Sequence, residues 1–180
     1  MAYFDELTGL PNRLSLRQQL DKLITQSKRN GQRFATIFID LDDFKKINDT
    51  LGHHLGDRLL QEVADRIRKN LRAADVITRD FSDNDTPQSM LARLGGDEFT
   101  VLLTSIHDAH DASRVAKRIL IALAEPFQLQ NHQASVGASI GISIFPGDGS
   151  SAEQLLKSAD MAMYEAKKSG KNNFQYFTPS

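Results

Sequence analysis

No cysteine occurs among the 180 residues. That removes disulfides, thiolate nucleophiles and cysteine-ligated zinc, and it fits a reducing, cytoplasmic setting. Long uncharged apolar runs are missing as well, so nothing reads as a membrane span or a secretory signal. Neither sign of charge is in excess: 22 Lys and Arg stand against 23 Asp and Glu, for a net −1. A nucleic-acid polymer would call for a basic face, which the composition does not offer. Any phosphate the chain holds must therefore be held by a few locally placed lysines and arginines. Repeats, low-complexity tracts and an interdomain linker are also absent. What remains is 40% hydrophobic and 25% charged, in a length that suits one domain, here residues 1–180, burying roughly 70% of its unfolded surface.

The hydrophobic pattern alternates between two periods. Leu16, Leu20, Leu23 and Ile24 lie at helical spacing over about residues 13–30, with Asn12 placed to cap the start and Asn30-Gly31 the end. Leu59, Val63, Ile67 and Leu71 define a second helix, and Val115, Ile119 and Leu123 a third that ends near Glu125-Pro126. After a turn at Pro146–Gly149, Ser150 and Glu153 form a capping box for a last helix carrying Leu155, Ala159, Met163 and Ala166. Strands are read at Phe34–Ile39, at Val136–Ile144, where core residues alternate with Gly137, Ser139, Gly141 and Ser143, and near Phe174–Phe177. These elements make a mixed α/β fold.

Two acidic clusters sit at strand ends. Ala92–Leu103 reads as a β-hairpin whose turn is Gly95-Gly96, followed at once by Asp97 and Glu98. Glycine supplies the positive φ of a tight turn and lets a charged ligand approach the backbone. Taken alone, this is also an ordinary solvated turn. The strand Phe34–Ile39, however, ends in Asp40-Leu41-Asp42-Asp43. If the two strands pair, Asp40 meets Asp97 and Glu98, and carboxylates that close need a cation among them. Hard oxygen donors suit Mg²⁺ or Mn²⁺ holding a phosphate substrate. Phe44–Asp57, with two glycines, paired histidines and alternating charge, is a loop or short helix where a substrate pocket belongs.

With Gly95–Phe99 intact, the Asp5–Arg13 segment ahead of it and further motifs in the expected order, the sequence resembles the GGDEF domain of diguanylate cyclases over essentially its whole length. The resemblance implies a mostly antiparallel central sheet covered by helices, as in nucleotidyl cyclases and polymerase palms. It implies synthesis of cyclic di-GMP from two GTP with release of pyrophosphate, by a homodimer in which each domain presents one GTP. Two Mg²⁺ or Mn²⁺ ions would lie on Asp40, the Leu41 carbonyl, Asp97 and Glu98, with Asp97 as proton acceptor. Asn48 and Asp57 would read guanine, and His53 would be a further substrate contact. Lys45, Lys167 and Lys171 would hold phosphate, with Lys45 also stabilising the transition state, while Gly95 and Gly96 line the substrate.

Several of these residues also have a plainer reading. Asp57 suits a helix start, Lys167 and Lys171 suit a helix C-terminus, and His53 and His54 suit a solvated loop. The family often has arginine where Lys171 stands, so bidentate phosphate contact is lost there. Arg72 and Asp75 have the Arg-x-x-Asp form of a product-inhibition site for cyclic di-GMP, but a polar insert at 80–89 separates them from the Gly-Gly turn. That insert is read as a surface loop at the tip of a hairpin joining Val76-Ile77-Thr78 to Leu91-Ala92-Arg93; a helix-end charge pair is the other reading of Arg72 and Asp75. The chain is expected to be the catalytic part of a longer, sensor-linked cytoplasmic protein. Two other classes remain open: a silent receptor for cyclic di-GMP, and a regulatory partner of an attached phosphodiesterase. A cyclase making cyclic GMP within one molecule is a further chemical alternative.

Overall fold

The computed structural model of the chain describes residues 2–78 and 89–179, and side chains there except those of residues 72–78. In chain order its elements are α1 (Arg13–Asn30), β1 (Arg33–Leu41), α2 (Phe44–Leu51), α3 (His53–Thr78), β2 (Ser89–Gly95), β3 (Glu98–Ile106), α4 (His110–Ala124), β4 (Phe127–Leu129), β5 (His132–Ala134), β6 (Ala138–Phe145), α5 (Ala152–Lys168) and β7 (Asn173–Tyr176). Five strands form one sheet in the order β2-β3-β1-β6-β7. Among the described residues only the β6–β7 pair is parallel, so the expected mixed, mostly antiparallel sheet is the one found. Among the described residues no helix is long and apolar enough to cross a membrane.

The strand β1 divides the core. Ala35, Ile37, Ile39 and Leu41 face a cluster closed by Leu59, Val63 and Ile67 of α3 and Ala116, Ile119 and Leu123 of α4. Phe34 faces the other way, into a cluster with Leu16 and Leu20 of α1 and Ala152 and Leu155 of α5. Because side chains alternate along a strand, Asp40 falls on this second face, beneath α5. The small residues of β6 explain how α5 comes so near. A Cβ on Gly141 would lie 2.1 Å from the Ala159 carbonyl oxygen and 2.2 Å from the Met163 nitrogen. Ser143 Oγ, two residues on, donates 2.9 Å to the Leu155 carbonyl.

Local signals account for most boundaries. Asn12 Oδ1 accepts from the Ser15 N–H at the start of α1, and Gly31 ends it in the left-handed region at φ 67°. Two readings from the sequence need correction, and one element is new. The N-cap of α5 is Ser151, not Ser150: Ser151 Oγ accepts from the Gln154 N–H, and Gln154 Oε1 accepts from the Ser150 N–H. The cap is thus shifted by one residue: Ser151 takes the extended backbone that a cap needs, while Gln154 reaches back past it to Ser150. Val76–Thr78 belong to α3, so they make no hairpin strand with β2, which among the described residues pairs with β3. The short hairpin β4–β5 was not read from the sequence at all. Residues 79–88, which hold nearly all of the predicted insert, lie outside the described residues.

At Gly141 the atoms in the way are backbone of α5, which cannot swing aside. Gly141→Ala should lower stability by about 2–3 kcal/mol, read as a reduced urea midpoint at unchanged m-value.

Candidate functional site

The pairing of β1 with β3 sets Asp40 directly opposite Glu98, and the turn before Glu98 is Gly96-Asp97. Gly95 and Gly96 have φ of 146° and 50°, so the turn uses both glycines as expected. The main-chain N–H of Leu41 donates to the Asp97 carbonyl at 3.2 Å, which ties this turn to the end of β1. Three carboxylates are therefore gathered where two adjacent interior strands, β1 and β3, end and begin. Asp40 is only 5% exposed. Its Oδ2 accepts from Lys167 Nζ of α5, whereas its Oδ1 is buried with no hydrogen-bond donor.

Such crowding shows in the acidities. Burial, then the Asp40 charge, pushes Asp97 up to about 6. Burial also raises Glu98, helped by Asp40 and Asp160 and opposed by Arg13 and Lys167. For Lys167 burial works against the ammonium, but the hydrogen bond and charge of Asp40, with Asp97 and Glu98 beyond, leave it above its ordinary value. A group of acids that resists ionisation is a site lacking positive charge. An orphaned, desolvated carboxylate oxygen and hard oxygen donors fit Mg²⁺ or Mn²⁺. Among the described residues no three acidic or histidine side chains form a ready-made metal shell. The balance of a shell would then come from backbone carbonyl, water and substrate phosphate, as Mg²⁺ commonly takes it.

A second layer fixes the first, and the sequence did not announce it. Asp42 Oδ1 accepts from Ser139 Oγ at 2.6 Å, its Oδ2 accepts from the Asn172 N–H at 2.8 Å, and its own N–H donates to the Gly137 carbonyl at 2.9 Å. This one residue joins the end of β1, the start of β6 and the lysine loop after α5. Its neighbour Asp43, in the left-handed region at φ 57°, accepts from Lys171 Nζ at 2.8 Å. That hydrogen bond holds Asp43 below, and Lys171 above, their usual ranges. On the far side, Arg93 donates through Nε and Nη2 to the Gly96 carbonyl at 3.1 and 2.8 Å, and through Nη1 to Asp5 Oδ1 at 2.8 Å. The N-terminal segment thereby clamps the Gly-Gly turn. A cleft of about 560 Å³ opens beside the lysine loop, lined by Asp42, Asp43, Lys46, Thr50 and Lys171 among others. None of Asp40, Asp97, Glu98 or Asn48 lines it.

The remaining expected residues lie nearby along the chain. Lys45 is exposed on the first turn of α2, and Asn48 is half-buried on its last. His53 opens α3, and Asp57 follows one turn later; both are exposed. Asn48 packs against Gly56, the residue before Asp57. The side chains of Arg72 and Asp75 lie outside the described residues.

Comparison with known proteins adds the following. The family model described as "Diguanylate cyclase, GGDEF domain" matches residues 2–173. The bifunctional diguanylate cyclase/cyclic di-GMP phosphodiesterase MucR of Pseudomonas aeruginosa is 45% identical over 180 residues, which are 100% of this chain and 24% of MucR. The cyclic di-GMP phosphodiesterase NbdA of the same organism is 40% identical, over 99% of this chain and 21% of NbdA. The chain thus spans about a quarter or less of the length of these relatives. Among solved structures, the GGDEF domain of TpbB from Pseudomonas aeruginosa superposes with a TM-score of 0.85 at 35% identity, covering 97% of this chain and 94% of that one.

Because the folded Asp97 holds its proton more tightly than the unfolded chain does, stability should fall as pH rises from about 4 to 6 in the presence of chelator. A rise of that size is worth about 3 kcal/mol at full burial, and solvent access at the turn reduces it to about 1 kcal/mol. Denaturant unfolding at pH 4.5, 5.5 and 6.5 checks this: Asp97→Asn should flatten that part of the profile and be the more stable protein at pH 6.5.

Proposed function

Because the chain belongs to the diguanylate cyclase, GGDEF domain family, we propose that it joins two GTP molecules into cyclic di-GMP, two such domains facing each other across a two-fold axis. The observation that carries this reading is the buried Asp40, with one oxygen lacking any donor, set opposite Glu98 and beside Asp97 at a Gly-Gly turn. Asp40, the Leu41 carbonyl, Asp97 and Glu98 would hold two Mg²⁺ or Mn²⁺ ions. When bound, the ions supply Lewis-acid stabilisation of the reacting phosphate and make the attacking hydroxyl more acidic.

The chain's own groups do the rest. Ionised Asp97 takes the proton of the attacking 3′-hydroxyl. The 3′-oxygen then bonds to the α-phosphorus of the facing GTP, the bond to pyrophosphate breaks, and the leaving oxygen carries the negative charge. Lys45 stabilises that charge as it develops. Lys167 and Lys171, held by Asp40 and Asp43 in the free domain, exchange those carboxylates for the terminal phosphates. Asn48 and Asp57 offer an amide and a carboxylate to the guanine edge, a pairing that adenine would leave unmet; His53 lies beside them at the start of α3. The open backbone at Gly95 and Gly96 lets substrate lie against the hairpin. The same step in the opposite sense closes the ring and releases a second pyrophosphate. Arg72 and Asp75 keep the proposed role of a product-binding site.

A second reading, a regulatory module beside a phosphodiesterase, draws on one observation: NbdA, at 40% identity, is named for that activity alone. The two readings part on a single assay. Incubated at high concentration with GTP and Mg²⁺ or Mn²⁺, the wild type should yield cyclic di-GMP and pyrophosphate, resolved by chromatography, and Asp97→Ala or Asp40→Asn should reduce the rate at least about 10³-fold while the fold survives. A variant near the wild-type rate would remove that residue from the site. Silence of the wild type, even when fused to a dimerising coiled coil, would favour the regulatory module.

A further inference from the structure

We propose that Gly56 is a positioning residue for base recognition: the side chain it lacks is the space in which the Asn48 amide sits. The proposal rests on the reading of Asn48 as a guanine contact. The geometry comes from the corner between two helices. Asn48 stands on the last turn of α2 and Gly56 on the first turn of α3, with Gly52 between them at φ 90°. Gly52 N–H donates to the Asn48 carbonyl at 2.8 Å, and Gly56 N–H donates to the Gly52 carbonyl at 3.0 Å. A Cβ on Gly56 would lie 1.7 Å from Asn48 Oδ1, 2.9 Å from Asn48 Cγ and 3.5 Å from Phe44 Cζ.

Gly56 is unlike the glycines of the turns. Gly52, Gly95 and Gly96 carry positive φ and a Cβ on any of them would meet nothing within 4 Å, so conformation explains them. Gly56 is helical and needs no unusual backbone. Helix propensity alone would favour alanine there. Contact with the Asn48 amide is therefore what glycine at this position provides. The obstructing atoms are also the end of a side chain and not backbone, so a methyl group at Gly56 is accommodated by turning Asn48 away, leaving the helices in place. Asp57, the next residue, would be left alone to face a purine whose edge offers both an acceptor and donors, and discrimination between guanine and adenine would weaken.

The test measures nucleotide binding, so it does not depend on turnover. Affinities for non-hydrolysable analogues of GTP and ATP are determined by calorimetry for the wild type, Gly56→Ala, Asn48→Ala and the double variant, together with each Tm. Gly56→Ala should lower the GTP-over-ATP preference about tenfold, matching Asn48→Ala. The double variant should be no worse than Asn48→Ala, since both changes remove the same contact. The Tm of the double variant should equal or exceed that of the wild type. Retained preference in Gly56→Ala beside lost preference in Asn48→Ala would overturn the positioning role while sparing the guanine reading. Unchanged preference in Asn48→Ala would sink the guanine reading and this proposal with it. Should Gly56→Ala alone lower Tm, the double variant decides: recovery of Tm identifies the amide as the obstacle, and failure to recover means that Gly56 serves helix packing instead.

Discussion

Burial of the Asp40 carboxylate is the constraint from which the rest of the site follows. A charge that is 5% exposed is costly unless paired, and removal of its partner typically costs about 3–5 kcal/mol because the charge stays behind. The partner here is Lys167, 127 residues away on another element. To deliver that ammonium, α5 must lie almost on the sheet. The Ser-Gly-Ser face of β6 makes this possible, with Gly141 against the α5 backbone and Ser143 bonded to Leu155. One period-two pattern in β6 therefore serves packing and electrostatics together. A larger residue there would lift the helix, and the lysine with it.

On the proposed reading, the same constraint readies the free domain for a polyanion with cations. Lys167 neutralises Asp40 and Lys171 neutralises Asp43, while Asp40 Oδ1 has no donor and Asp97 is reluctant to ionise. Lys167 shares its charge with a buried carboxylate proposed to hold a metal, and Lys171 with an exposed one. On the proposed reading, a nucleotide arriving with its cations exchanges both sets of partners at once. Metal arriving with the nucleotide would keep the buried Asp40 charge paired as Lys167 departs. Asp42 stands outside that exchange: both its oxygens are occupied by Ser139 and Asn172, so it holds the lysine loop in place whichever partner the lysines have.

What could be read in the sequence was whatever depends on neighbours in the chain. The hairpin at Gly95-Gly96, the buried strand ending in Asp40, the period-two face of β6 and the caps at Asn12 and Gly31 all rest on local chemistry, and the structure has them. Pairing of β1 with β3 was posed only as a condition, on one apolar strand that ends in acid and another that begins with it, and the structure has it. Asp42 gave no signal because its partners are 97 and 130 residues distant, and Arg93 gave none because Asp5 is 88 residues away. At Ser150-Ser151 two adjacent serines were equally good caps by composition, and only backbone geometry chose between them. The run Val76-Ile77-Thr78 has strand-forming residues but continues the pattern of α3, and the helix prevails.

The glycines of this chain show why residue type alone is an incomplete guide to a site. At Gly95 and Gly96 glycine is needed for its backbone: φ is positive and the space where a side chain would stand is empty. At Gly141 the need is the reverse, ordinary strand backbone with no room. At Gly137, Asn172 Oδ1 and Asp42 Oδ2 lie 3.0 and 3.1 Å from where a Cβ would be, so that glycine admits the acid that ties the lysine loop down. Gly56 belongs with the second group, since the atom nearest its absent Cβ comes from a residue with a proposed binding role. Turn glycines shape the rim that a ligand meets, whereas the crowded ones fix where Lys167, Asp42 and Asn48 stand. Sequence patterning reveals the first kind through its turns; the second becomes visible only when the elements are packed, because what it accommodates comes from another part of the fold.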